Sequence, residues 1–258
     1  MRTVKIGRHT VEVYDAIDEL PIVRFHKYQK LLLIDAGIGG DISAFDSRME
    51  KMRRYLMRGD TEKAARELEN VRQSVYFIQN GISPEHRAFA VLVAKIDGRE
   101  CGDLSDEGLE KVLEELRESP VKDMTARLDA VKKKIDGELM LYFPVVFNNS
   151  DIKEYYDILK KRTLAILRGI VEGKERPDES AEVDKLTTEL LTYSKPKVFS
   201  GAESEEIQFD RQFENLCLAL SEQLNVRPKE YTVLEFYNAF DFLRERARKA
   251  EIAQKRAK

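Results

Sequence analysis

The sequence has no tryptophan, two cysteines, three histidines and no long uninterrupted apolar run. Cys101 and Cys217 are far apart and neither belongs to a Cys-x-x-Cys pair, so a reducing compartment is favoured over a disulfide framework. We expect both thiols to be buried as small apolar side chains. A bilayer-spanning helix needs about 18 consecutive apolar residues, and the N-terminus lacks the apolar core of a signal peptide. The sequence therefore predicts a cytoplasmic protein with no membrane partner.

The chain also lacks a large excess of charge of either sign. Its 44 Lys and Arg against 47 Asp and Glu give a formal net charge of -3, so no global field attracts nucleic acid. The C-terminal tail alone is basic, and either an acidic partner or the dipole of a closing helix accounts for such a cluster. No aromatic residues interleave these charges, which argues against single-stranded nucleic acid. The cluster comprises Arg244, Arg246, Arg248, Lys249, Lys255, Arg256 and Lys258.

Patterns that carry catalysis or metal binding are missing as well. No two of His9, His26 and His86 stand four residues apart on a helix, as a helical zinc site requires. The chain has no Gly-x-Ser-x-Gly nucleophile elbow, and acidic pairs such as Asp103 and Asp106 are typical of solvated surface. We therefore predict a protein that is not an enzyme, with no catalytic residue, cofactor, metal or small-molecule ligand.

One stretch does contain a glycine cluster after an apolar run, from Leu31 to Asp41. A phosphate-binding loop after a strand would indicate a nucleotide-dependent enzyme, but the dinucleotide spacing fails at Ile42 and no lysine follows the glycines. Helical spacing instead runs in from Pro21, which favours a helix that ends with Gly37 in a left-handed conformation and a second helix capped by Asp41 or Ser43. A nucleotide-binding enzyme using Gly37 to Asp41 remains an alternative.

Hydrophobic periodicity predicts an all-α protein with a small N-terminal β-hairpin. Val4 and Ile6 alternate with polar residues, as do Val11 and Val13 beyond the Gly7 turn. Beyond the glycines, apolar residues at alternating three- and four-residue steps predict a buried stripe on one helix, and a matching helix after Asp60 completes a helical hairpin. The stripe consists of Ile42, Phe45, Met49, Met52 and Leu56.

Further helices are predicted from caps and stripes along the rest of the chain. Ser83-Pro84 begins a helix that we expect to carry Phe89, Leu92 and Ile96 and to end at Asp97-Gly98. Thr232-x-x-Glu235 is a capping box that opens the last helix. The polar, proline-containing segment 173–180 is the best linker, so we predict one domain over residues 1–173, containing the β-hairpin, and a helical subdomain over 174–258 with the basic tail.

Two segments resemble phage proteins. Tyr14-Asp15-Ala16-Ile17-Asp18-Glu19-Leu20-Pro21, with Arg24-Phe25, Lys27-Tyr28 and the Leu31 to Gly40 run, resembles the opening of helical proteins of tailed-bacteriophage tail modules. The segment from Leu216 to Tyr237, with Leu224-Asn225-Val226-Arg227-Pro228 and Thr232-Val233-Leu234-Glu235-Phe236-Tyr237, is similar to the closing part of phage tail assembly chaperones. Together they cover about a quarter of the chain.

The resemblance implies a morphogenesis protein that acts through protein–protein contact. A tail assembly chaperone binds the tape-measure protein and helps tail-tube subunits assemble around it, and a structural component of the tail or neck of the particle is the alternative role. Partners would be these tail proteins or the chain itself, in the bacterial host cytoplasm or in the virion. Phe236, Tyr237 and Phe240 are the candidate protein-binding residues, although core packing explains them equally well.

Overall fold

The computed structural model divides the chain into two compact units. One comprises Met1–Tyr142 with Lys197–Lys258, and the other comprises Phe143–Pro196. Gly173, where we predicted the domain boundary, lies inside the second unit, and the division into domains stays a prediction. The structure describes residues 1–40, 42–81, 83–117, 121–147, 150–174, 180–193 and 197–256. The predicted cap at Asp41 and the linker positions 175–179 lie outside the described residues.

The first unit contains an antiparallel four-stranded sheet in the order β1-β2-β3-β4. Its strands are β1 (Arg2–Ile6), β2 (His9–Val13), β3 (Val93–Ile96) and β4 (Arg99–Glu100). The predicted N-terminal hairpin is confirmed, with Val4 opposite Val11. A second hairpin was not predicted, and it places Ile96 opposite Val11 of β2. The fold is therefore all-α with a small β element, as predicted, but that element has four strands.

The second hairpin corrects the prediction of a helix through Ile96. Helix α4 (Pro84–Leu92) begins at the predicted Ser83 cap but ends four residues earlier than expected. Arg24 is buried, and its Nη1 donates to the carbonyls of Val91 at 2.7 Å and Val93 at 3.2 Å, where helix gives way to strand. Burial lowers the pKa of Arg24. Because these carbonyls have a partner, the helix can end inside the core.

Three helices between β2 and α4 follow the predicted pattern. They are α1 (Ile22–Gly37), α2 (Ile42–Met57) and α3 (Thr61–Gln79). A helix rather than a strand therefore leads into the glycine cluster, although Gly39, with φ of +71°, takes the left-handed conformation that we expected at Gly37. Asp60 caps α3 by accepting from the amide of Lys63. Helices α2 and α3 form the predicted helical hairpin.

The burial of α2 differs from the prediction, whereas Ala64 and Val71 of the matching stripe on α3 are buried as predicted. Of the supposed core stripe, Ile42 is 71% exposed, Leu56 is 55% exposed and Met49 is 39% exposed. The hairpin also buries polar side chains, among them Arg48 and Glu67, whose exposed fractions are 7% and 2%. Periodicity located the apolar face of α2 but did not indicate whether that face points to the core.

The rest of the first unit is helical. It contains α5 (Asp106–Glu115), α6 (Val121–Tyr142), α10 (Glu205–Leu224), a 3-10 turn (Pro228–Glu230) and α11 (Val233–Arg256). The predicted capping box is confirmed, because Glu235 accepts from the amide of Thr232 at 2.8 Å and Thr232 Oγ1 accepts from the amide of Glu235. Cys217 is buried as expected, whereas Cys101 is partly exposed, so that half of the thiol prediction is wrong.

The second unit is a packed helical pair preceded by one short helix. Its elements are α7 (Pro144–Phe147), α8 (Ser150–Val171) and α9 (Ala181–Tyr193). Val183 is fully buried, and Arg162 Nε donates to Thr187 Oγ1 at 2.8 Å. Among the described helices of both units, none combines the length and apolar character needed to cross a bilayer.

Candidate protein-interaction site

The two segments that carry the phage resemblance meet in space. The backbone at the start of α1 pairs with the backbone before α11: Ile22 donates its amide to Tyr231 at 2.9 Å, and Val233 donates to Leu20 at 2.9 Å. Leu234 donates to Ile17 at the same distance. Residues more than 200 positions apart therefore form one substructure.

Aromatic rings fill the space between these helices. Tyr237 packs edge-on against Phe25 and Phe236, with ring centroids 6.4 and 5.6 Å apart. Phe236 in turn stacks on Phe213 of α10 at 5.8 Å. Burial raises the pKa of Tyr237 to about 12, so its hydroxyl stays neutral at physiological pH. Such ring pairs stabilise a fixed arrangement of α1, α10 and α11.

A cavity of about 190 Å³ opens beside these rings, and we call it the α1–α10–α11 groove. It is mainly apolar and aromatic, with two glutamine side chains and one histidine as its polar lining. Drug-sized ligands occupy cavities of about 300 to 1,000 Å³, so the groove is sized for one or two side chains. Its lining residues are Ile22, Phe25, His26, Gln29, Phe209, Gln212, Phe213, Leu216, Phe236 and Tyr237.

His26 is the polar centre of the groove. Its ring stacks on Phe209 at 4.6 Å and on Phe213 at 4.1 Å. Its Nε2 lies 2.9 Å from Asp210 Oδ1, while Lys30 Nζ binds the other carboxylate oxygen at 2.7 Å. Burial lowers the pKa of His26, and the hydrogen bond to Asp210 opposes that shift. At neutral pH the histidine is therefore an uncharged ring that joins α1 to α10.

The three predicted binding residues occupy different environments on α11. Phe236 is 1% exposed and belongs to the core, whereas Tyr237 and Phe240 are partly exposed. Phe236 and Tyr237 line the groove, and Phe240 lies one turn further along α11. Phe236 therefore shapes the groove from behind, and its accessible surface is negligible. That Tyr237 and Phe240 bind a protein stays a prediction.

Sequence reasoning missed the contribution of α10 and of His26. Phe209 and Phe213 stand four residues apart on one helical face, a spacing that indicates a shared partner. What the sequence did not indicate was that the partner is a histidine 183 positions before Phe209, because pairing between distant helices has no local signature. The Asp210 carboxylate between the two phenylalanines was the available hint of a polar partner.

A second polar cluster lies at the tips of the two hairpins. Single ligand atoms of His9, Asp97 and Glu115 lie within 4.8 Å of one another, a grouping that a metal ion accepts. His9 Nδ1 is 2.7 Å from Asp97 Oδ2, the amide of Thr10 donates to Asp97 at 2.8 Å, and Arg99 pairs with Glu115. The backbone amide of Thr10 and then His9 lower the pKa of Asp97. These contacts already join the hairpin tips to α5.

The glycine cluster has a packing role. Gly37 lies inside α1, and a side chain there would overlap the ring of Phe199, which is itself buried. Arg48 Nε donates to the carbonyl of Ile38 at 2.6 Å, so the chain after α1 is held against α2. The close approach of Phe199 accounts for one glycine, and the left-handed turn at Gly39 accounts for another.

Comparison with known proteins yields no relative of this chain. It matches no protein-family profile, no curated protein sequence and no solved structure. Its function must therefore be argued from its own residues.

Proposed function

We propose that this chain is a non-enzymatic phage morphogenesis protein that acts by protein–protein contact, as a tail assembly chaperone of the tape-measure protein. The observation that carries the proposal is the convergence of its two phage-like segments on the α1–α10–α11 groove. Helical partners are recognised by apolar side chains that enter pockets at helical spacing, which suits an aromatic groove of this size.

The chemistry of the groove favours a protein ligand. Phe209 and Leu216 supply apolar walls at its partly exposed mouth, and the amide groups of Gln29 and Gln212 can bond to polar atoms of a bound segment. Tape-measure proteins are long helices with apolar stripes, so they offer the leucine, methionine or phenylalanine side chains that such a groove accepts. The chaperone role follows if this contact keeps those stripes away from water.

Under this proposal a tape-measure protein is encoded in the same phage genome, and the test is co-expression of the two proteins. Gln212→Arg places a long cation at the mouth of the groove, and we expect it to lower the soluble fraction of the tape-measure protein. Gln223→Arg is the matched control, because it introduces the same side chain at another exposed position of α10 away from the groove. The proposal would be contradicted if the tape-measure protein were equally soluble with both variants. It would also be contradicted if the wild-type chain did not increase the solubility of the tape-measure protein.

The composition of purified phage particles distinguishes the chaperone role from the alternative role as a component of the particle. A chaperone leaves before the tail is complete, so mass spectrometry of purified particles should detect only traces of this chain. Stoichiometric amounts in mature particles would instead identify a structural component of the tail or neck. The third role, a nucleotide-binding enzyme, requires a rise in melting temperature with excess ATP, GTP or NAD, by linkage.

A further inference from the structure

The α2–α3 hairpin buries charged side chains together with Tyr55, Ala64 and Val71, and it leaves an apolar row of α2 exposed. Arg48 and Glu67 are buried with Asn70 and Ser74. Arg48 donates to the carbonyl of Ile38 at the end of α1, and Asn70 donates to the carbonyl of Lys197. On the outside, α2 exposes Ile42, Met49 and Leu56. An exposed apolar row of this length indicates a surface that another molecule covers.

The exposed row has the spacing of a coiled-coil seam. Ile42, Met49 and Leu56 stand seven residues apart, as the a positions of successive heptads do. Phe45 and Met52, both partly exposed, occupy the d positions between them. All five lie on one face of a helix of 16 residues, which is about 24 Å long at 1.5 Å per residue. This face, which we call the α2 seam, fits a second helix along its length.

The charges beside the α2 seam indicate what that second helix is. Asp46 and Arg53 occupy successive e positions and are both exposed, and Arg53 also pairs with Glu50 of its own helix at 2.8 Å. When two copies of α2 pack antiparallel with Met49 of each opposite Met52 of the other, Asp46 of each copy comes beside Arg53 of the other. Opposite charges then meet twice across the two-fold axis, whereas in a parallel pair they do not face each other.

We propose that the α2 seam is a homodimer interface, in which α2 packs antiparallel against α2 of a second copy of this chain. The interface is isologous, because each residue on one copy contacts the complementary residue on the other. It uses none of the residues that line the α1–α10–α11 groove, so the dimer leaves both grooves unobstructed by its own contacts. This inference does not depend on the proposed chaperone role.

The first experiment measures the mass of the full chain by light scattering and sedimentation over concentrations from about 1 to about 200 µM, a range suited to a modest interface. We expect a monomer–dimer equilibrium. Met49→Lys buries a cation in the seam and should raise the dimer dissociation constant about tenfold or more, equal to about 1.4 kcal/mol. Ser47→Lys is the matched control, because Ser47 is an exposed residue of the same helix on the side away from the seam.

The second experiment tests orientation by charge reversal. Asp46→Arg alone and Arg53→Asp alone place like charges opposite each other and should weaken the dimer, whereas the double reversal should restore it. Circular dichroism of each variant confirms that it is folded. The proposal is overturned by a wild-type chain that is monomeric throughout, by equal effects of Met49→Lys and Ser47→Lys, or by no recovery in the double reversal. Capture of a foreign helix by a monomeric chain at Met49 also overturns it.

Discussion

Arg48 and Glu67 form an ion pair inside the α2–α3 hairpin, with Nη1 and Oε1 3.5 Å apart. The pair is embedded in further bonds, because Arg48 donates to the carbonyls of Ile38 and Ala36 and Asn70 donates to Glu67 at 3.0 Å. Burial lowers the pKa of Arg48, and Glu67 opposes that shift. Asp35 also opposes it, so Glu67 is the larger of two carboxylate contributions that favour the charged guanidinium.

Removing Glu67 alone should lower the free energy of unfolding more than removing both Glu67 and Arg48. Glu67→Ala leaves the buried guanidinium without its ion-pair partner, and we expect it to lower the free energy of unfolding by about 3 to 5 kcal/mol. Adding Arg48→Met removes the stranded charge, so the double variant should be more stable than Glu67→Ala alone, although Ile38 and Ala36 lose a donor. Urea denaturation of the wild type, of Glu67→Ala, of Arg48→Met and of the double variant measures this. Strictly additive losses would show that the two charges are not coupled.

Gly37 and Gly137 should respond oppositely to alanine. A Cβ at Gly37 overlaps the Phe199 ring, so Gly37→Ala should destabilise the chain by about 1 to 3 kcal/mol despite the better helix propensity of alanine. Gly137 is an exposed glycine of α6 with open space around it, and Gly137→Ala should stabilise by about 0.5 to 1 kcal/mol. Thermal unfolding measures both. Phe199→Leu should relieve part of the Gly37→Ala loss, and its failure to do so would remove the steric explanation.

Local signals were sufficient for most element boundaries. Ser83, Asp60 and the Thr232 box cap the helices that they were predicted to cap, because a side-chain oxygen meets free amides within the same turn. Asp97-Gly98 also carried a local signal that was misinterpreted as a helix end. Both residues have positive φ, 49° and 81°, as a two-residue hairpin turn requires, and such a dipeptide between apolar residues is a strong hairpin indicator.

Long-range choices had no such signal. The run from Phe89 to Ile96 is apolar at nearly every position, so its periodicity does not distinguish helix from strand. The strand forms where β2 offers a pairing edge and Arg24 binds the last helix carbonyls, both supplied by distant segments. The same limit explains the exposed α2 seam and the pairing of His26 with α10, since each depends on which elements become neighbours.

The substitution Tyr28→Phe is expected to stabilise the folded chain. Its side chain is 1% exposed, and no described residue provides a hydrogen-bond partner for its hydroxyl. Burial raises the pKa of Tyr28, and the nearby Asp136 and Asp129 raise it further, so the hydroxyl is neutral. A buried polar group without a partner costs about 1 to 3 kcal/mol, and Tyr28→Phe should recover about 1 kcal/mol of that in urea denaturation. A loss of stability in Tyr28→Phe would indicate that a water molecule binds the hydroxyl.

Acid should weaken the packing of α1 against α10 through His26. Burial makes the pKa of His26 lower in the folded chain than the unfolded value of about 6.5, so the folded state disfavours the proton. The stability from the neutral ring is fully present above the unfolded pKa and is lost as the pH falls toward the folded pKa. Asp210 and Glu214 favour the charged form and limit this shift of the pKa, whereas Lys30 disfavours the charged form and adds to it.

The measurement compares urea midpoints at about pH 7.5 and about pH 5.5, a window that spans ordinary histidine titration. We expect the wild type to lose stability between them, and His26→Gln to lose less because its side chain does not titrate. His86→Gln is the matched control, because it makes the same substitution at another partly buried histidine. The prediction fails if the stability of His26→Gln keeps the full pH dependence while that of His86→Gln loses it. The proton responsible would then not bind at His26, and the ring stacked between Phe209 and Phe213 would be insensitive to acid.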